Sequence, residues 1–153
     1  MDKCKHFTDS IFYQFEQTAK YCRFLGIQVF KKLEMPLTTD EFYALDVLLI
    51  KDNICQRELA QIILKDRPNT GRILDALEKK GLIERFADTK NNRLVRRIKI
   101  TQQGKFIAEE VSRKLKDYII KIPKVLSDED KQKLIDLMIK FREGLEKEVE
   151  MKI

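Results

Sequence analysis

The chain is predicted to be mainly α-helical, with one small β-hairpin set between its helices. Three observations carry this. Six segments repeat apolar residues at three- and four-residue spacing, while one segment alternates with the period of a strand. The positive charge gathers around that alternating segment instead of spreading along the chain. No internal repeat, low-complexity stretch or Gly/Ser linker interrupts the pattern, so residues 1–153 read as a single domain.

With 43% hydrophobic and 37% charged residues the chain is globular, not disordered. No apolar run approaches the roughly 20 residues of a membrane span. The N-terminal MDKCKHFTDS lacks the apolar core of a signal peptide, so a cytoplasmic protein with no membrane partner is expected. The formal net charge is +6. From Lys65 to Lys105 there are twelve Lys or Arg against five acids, so this quarter of the chain holds the whole excess. Such a concentration points to a polyanionic partner, against the alternative of a merely solvated face.

The first helix is predicted over about 7–33, where Phe7, Ile11 and Phe15, then Cys22, Leu25, Val29 and Leu33, form a drifting stripe. Phe12, Tyr13, Tyr21, Phe24 and Phe30 widen it beyond one face, and a helix apolar on several sides must be covered on several sides. Met35-Pro36 ends it. Thr38 and Glu41 form a capping box for a second helix, which buries Phe42, Leu45, Leu48 and Leu49 and ends near Ile50. A short helix follows over 56–64, with Leu59, Ile62 and Ile63 inward. Lys65-Asp66-Arg67 then leads tightly into a fourth helix that has Pro68 at its start, Ile73, Leu74 and Leu77 on its buried face, and Gly81 just past its end. Asn69, Thr70 and Arg72 stand at its N-terminal tip. Two short helices joined in this way make a helix-turn-helix.

Beyond Gly81, residues 82–86 can pair with 95–100 around a polar loop, ADTKNNRL, that would project as a wing. Thr101 caps a fifth helix marked by Ile107, Val111, Leu115 and Ile119, ended by Ile122-Pro123. Ser127 caps a sixth, with Asp128, Glu129 and Asp130 in its first turn and Leu134, Leu137, Met138, Phe141 and Leu145 inward.

In this order the residues resemble the MarR family of winged helix-turn-helix transcription regulators. The resemblance rests on Leu37-Thr38-Thr39-Asp40-Glu41-Phe42, on Glu58-Leu59-Ala60, and above all on the stretch from Arg72 through Gly81 to Arg85. Ile100-Thr101-Gln102-Gln103-Gly104 and Leu126-Ser127-Asp128-Glu129-Asp130 complete it. Two positions depart from the family pattern. Asn91 stands where the wing motif has its second acid, and Gly71 where Thr or Ser is common. Asp88, Asn91 and Arg93 match the wing motif in one register; counting back from Thr101 shifts the match by one and leaves Leu94 at the Arg position.

The resemblance implies a winged helix-turn-helix DNA-binding lobe over 37–104, flanked by helical dimerisation segments over 1–36 and 105–153. It further implies a homodimer acting on a palindromic double-stranded DNA operator, most often as a repressor. Asn69, Thr70 and Arg72 are the candidates for base edges and nearby phosphates, since Asn can pair with adenine and Arg with guanine; the other reading of Asn69 and Thr70 is helix-start chemistry. Arg67, Gln56 and Arg57 are candidates for phosphates at helix starts, and Gln56 and Arg57 read equally as solvated surface. Arg93 is the candidate for the minor groove, with Lys90, Asn91 and Asn92 shaping the wing and Arg96 on phosphate. Arg85 could pair with a carboxylate or touch DNA, and Arg97 and Lys99 read as the exposed side of a strand.

A small amphipathic effector, as many members of the family bind, would draw on Tyr13, Tyr21, Phe24, Phe42 and Tyr43, whose other reading is core. Cys4, beside Lys3, Lys5 and His6, is the candidate for oxidant sensing, or else an inert terminal thiol. Cys22 and Cys55 read as buried small apolar residues. With one histidine, no Gly-rich phosphate loop and no metal-ligand spacing, neither an enzyme nor a cofactor or metal is expected. The competing reading is a winged helix used for protein interaction, its basic wing only solvated.

Overall fold

The computed structural model describes residues 5–120 and 125–150. A 3-10 turn at Phe7–Asp9 leads through Ser10, whose hydroxyl accepts the Tyr13 N–H, into α1, Ile11–Lys32. The helix thus starts four residues later than the apolar spacing suggests, because Ser10 caps it. α2 is Thr39–Ile50, α3 Gln56–Ile63 and α4 Arg67–Lys79. The strands β1, Ile83–Lys90, and β2, Arg93–Ile100, precede α5, Gln102–Ile119, and α6, Asp128–Glu148. Ile122 and Pro123 lie outside the described residues. No helix among the described residues is long and apolar enough to cross a membrane.

The capping box of α2 forms as its spacing predicts. Thr38 Oγ1 accepts the Glu41 N–H at 3.2 Å and Glu41 Oε2 accepts the Thr38 N–H at 3.1 Å. Glu41 is itself buried, and the Lys80 ammonium at 2.6 Å neutralises it, tying the end of α4 to the start of α2. A buried carboxylate without such a partner would be costly.

The core sits inside the middle of the chain. Leu45 and Leu48 of α2, Leu59 of α3, Leu74 and Leu77 of α4, Ile83 and Ile98 of the strands and Val111 of α5 are fully buried together. Each such side chain contributes roughly 1.5–3 kcal/mol. Ile62, expected inward, is exposed on the far side of α3. α1 adds only Val29 and Phe30 to the buried set, and α6 adds none, so Leu134 and Leu137 are exposed within this chain.

The hairpin is longer and tighter than the sequence suggests. Its strands pair without a break from Ile83 opposite Ile100 to Lys90 opposite Arg93, and the loop shrinks to Asn91-Asn92. Both asparagines are left-handed, at φ 51° and 59°. That is the two-residue turn whose twist matches the strands, and Asn tolerates it better than most residues.

α4, the hairpin and α5 meet at one joint. Gly81, at φ +72°, closes α4: its N–H donates to Glu78 O and the Leu82 N–H donates to Leu77 O. Thr101 then seizes the same corner. Its N–H donates to Leu82 O, its hydroxyl donates to Gly81 O at 2.8 Å, and its Oγ1 accepts the Gly104 N–H at 3.0 Å. Gly104 is required by space, since a Cβ there would lie 2.1 Å from Leu82 O. Replacing Gly104 by Ala is expected to destabilise the protein by roughly 1–3 kcal/mol in urea or thermal unfolding; an unchanged midpoint would show that α5 can back away freely.

Candidate nucleic-acid interface

The first turn of α3, the start of α4 and the outer half of the hairpin enclose a groove of about 850 Å³. Arg57, Arg67, Lys90, Arg93 and Arg96 line it, with Gln56 and Asn91 between them and Glu58 as the one acid. Each cation arrives from a different local cause. Arg57 and Arg67 sit in the exposed first turns of helices whose buried faces point away. Arg93 follows the turn, and Arg96 lies on the part of β2 that has left the core. Among the described residues Arg57, Arg67, Arg93 and Arg96 have no carboxylate partner. Unpaired cations converging on a concave surface create a field suited to a polyanion.

Three neighbouring cations, Arg85, Arg97 and Lys90, are committed. Arg85 is largely buried and forks onto Asp75 and Glu78 of α4, each at 2.6 Å. Its guanidinium holds the Glu78 carboxyl below the usual carboxylate range. Carboxylate pairing is therefore the answer for Arg85. Arg97, read from sequence as simply exposed, instead donates to the Asp88 carboxylate and to Asn53 O at 2.6 Å. Asp88 is not part of the turn. It faces Arg97 across the hairpin, and its carboxyl is held low first by the Thr89 N–H and then by Arg97. Next to this brace β2 also joins the chain before α3, the Ile98 N–H donating to Ile54 O.

Lys90 is tied too. Its ammonium lies 3.0 Å from Glu58 Oε1, while Glu58 Oε2 accepts the Cys55 N–H at 2.8 Å and so caps α3. Cys55, through its thiol and its backbone N–H, and then Lys90 lower the Glu58 pKa to about 2.

At the tip of α4 the cap is Asp66, whose carboxylate accepts the Asn69 N–H at 2.8 Å, so the helix opens at Arg67 and Pro68 is its second residue. Thr70 does not reach outward. It is fully buried and its hydroxyl donates to Asp66 O, because it lies on the stripe of Ile73, Leu74 and Leu77. Asn69 and Arg72 are exposed and joined. The Asn69 amide donates to Asp66 Oδ2 at 2.8 Å, and its oxygen accepts from Arg72 at 3.1 Å. Arg72 keeps the rest of its guanidinium fork for an outside acceptor. Gly71 costs about 1 kcal/mol relative to Ala in a helix, and a Cβ there would meet only the Gln56 amide, at 3.9 Å. Asn92 is exposed at the apex of the wing.

The aromatic set does not gather. Phe42 is core, packed against Phe30 with ring centroids 5.9 Å apart, and Tyr13 leans on Phe7. Tyr21, Phe24 and Tyr43 stay exposed. Cys55 is buried as read, whereas Cys22 is exposed on α1, and Cys4 lies outside the described residues.

A helix-turn-helix with a braced β-wing, its open cations on one concave face, defines a winged helix-turn-helix protein. Residues 37–95 match the model of the MarR family. Over whole chains the fold is similar to three solved structures. The transcriptional regulator SlyA is 24% identical, with 91% of this chain and 96% of that one covered and a TM-score of 0.74. The Staphylococcus aureus MepR–DNA complex is 20% identical, covering 92% and 99%, with a TM-score of 0.70. A MarR protein from Peptoclostridium difficile is 18% identical, covering 97% and 94%, with a TM-score of 0.76. At these identities the likeness is one of fold.

The Glu58 pair has a pH signature. A carboxyl lowered in the folded state stabilises it fully above its ordinary value of 4.5, and that contribution fades as pH falls through about 2. The stability difference between wild type and Glu58→Gln is thus expected to be constant near neutrality and to vanish toward pH 2 in denaturant titrations. A difference that persists there would assign it to packing.

Proposed function

We propose that the chain is a sequence-specific double-stranded DNA-binding transcription regulator, acting as a homodimeric repressor on a palindromic operator. The observation that carries this is the set of four arginines, 57, 67, 93 and 96, left unpaired around one groove while neighbouring cations are braced. On this reading α4 enters the major groove. Arg72 reads a guanine edge, and Asn69 orients it or takes an adjacent adenine. Arg57, Arg67 and Arg96, with Gln56, hold the phosphate strand that passes through the groove of the protein, where helix starts add their own positive ends. Arg93 enters the minor groove, and Asn91 and Asn92 shape the tip. Phosphate contacts position the lobe and base contacts specify the site. The lobe then comprises residues 37–104.

The dimer is supported by what the single chain leaves uncovered. Ile11, Phe12, Tyr21 and Phe24 of α1 are more than half exposed and Ile27 nearly half, and Leu137 of α6 is more than half exposed. The two helices already touch, Phe15 stacking on Phe141 at 4.9 Å. Segments 1–36 and 105–153 of two copies would bury these faces together. A two-fold axis then sets half-sites about one helical turn apart, ~34 Å.

Selection of bound duplexes from a random DNA pool tests the proposal. A palindromic motif, bound with affinity that falls steeply with salt, is expected. Binding that ignores salt would return the chain to protein interaction. Arg93→Ala should leave the fold intact and flatten the slope of log affinity against log salt by about 0.9. Arg72→Ala should instead relax discrimination at one base by roughly 1–3 kcal/mol. An unchanged titration for Arg93→Ala would remove that residue from the contact set.

A further inference from the structure

The groove holds five cations and a single carboxylate, and that carboxylate is bonded to Lys90, one of the two cations that flank the wing tip. We propose that Glu58 withholds Lys90 from DNA, so that the wing carries one phosphate contact fewer than its sequence offers. The inference rests on the DNA-binding reading above and concerns how that same site sets its affinity.

Glu58 is built into the fold. One of its oxygens accepts the Cys55 N–H that opens α3, so the carboxylate cannot follow Lys90 if the wing moves. The other oxygen, 3.0 Å from the ammonium, supplies what a phosphate oxygen would supply: a fixed anionic acceptor at hydrogen-bond distance. Exchanging one for the other gains Lys90 little. It would also leave an unpaired carboxylate facing the phosphates, a like-charge repulsion. Lys90 and Arg93 stand directly opposite each other beside the turn. Without Glu58 the tip would present two free cations; with it, it presents one.

The withheld contact is of a particular kind. Phosphate contacts are blind to sequence and dominate non-specific binding. Removing one lowers affinity for every duplex alike and enlarges the share of binding that depends on α4. Glu58 is thus a positioning residue that holds down the non-specific background.

The test compares wild type, Glu58→Gln, Lys90→Ala and the double variant of the full chain. Each is titrated with a mixed-sequence duplex two helical turns long over a range of sodium chloride concentrations. Glu58→Gln keeps an oxygen for the Cys55 N–H. It should bind more tightly, with a log–log salt slope steeper by about 0.9. Lys90→Ala alone should keep the wild-type slope, and the double variant should lose the extra steepness. A wild-type slope in Glu58→Gln overturns the proposal, as does a double variant that keeps the steeper slope. A slope flattened by about 0.9 in Lys90→Ala also overturns it. Should Glu58→Gln fail to fold, the Lys90→Ala slope decides alone. Failure of the DNA-binding reading looks different: wild type itself would then show no salt dependence.

Discussion

The backbone corner where α4 ends fixes most of what surrounds it. Gly81 turns the chain out of the helix through a left-handed residue that a side chain would strain, and Leu82 enters the hairpin with its N–H still bonded to α4. Thr101 returns from the far end of the hairpin to the carbonyls of these two residues, Gly81 and Leu82, and Gly104 lets α5 approach within van der Waals contact of Leu82. α4, the wing and α5 are therefore joined by main-chain hydrogen bonds. The offset between the α4 tip and the wing does not depend on the side chains exposed at either place.

Side chains then stiffen what the backbone has placed. A two-stranded ribbon with both faces in water has little to hold its angle. Three ties supply it: Arg85 to α4, Arg97, which Asp88 holds, to Asn53 O in the loop before α3, and Lys90 to Glu58. Each uses a cation that composition alone counts toward the basic excess. The charge available to a partner is smaller than the net charge suggests, and within the groove it lies on Arg57, Arg67, Arg93 and Arg96. Exposed pairs of this kind add little to stability singly; their role here is geometric.

Much of this was legible in the sequence, and the exceptions have physical causes. The Thr38–Glu41 box, Gly81 and the Thr101-x-x-Gly104 corner are local and could be read from spacing, as could the order of helices around one hairpin. The strand ends could not. From Phe86 to Leu94 the hairpin has left the core, both faces are solvated and the period of two disappears, so paired residues resemble a loop. Thr70 was misread because its polarity outweighed its position, although Ile73, Leu74 and Leu77 place it on the buried stripe. The braces of Arg97 and Lys90 join residues far apart in the chain and depend on a register that no local pattern contains. Cys22 and the inner residues of α6 fit an apolar stripe whose cover this chain does not itself provide.

That missing cover has a bearing on folding. The middle of the chain owns a core, whereas α6 owns no buried residue and α1 leaves Ile11, Phe12, Tyr21, Phe24, Leu25 and Ile27 exposed. In the proposed dimer the order of the two ends would depend less on their propensity than on how many copies are present. Their stability would then follow mass action. Dilution would loosen the terminal helices while the central lobe stays closed, and newly made chains would carry an adhesive surface until they meet one another.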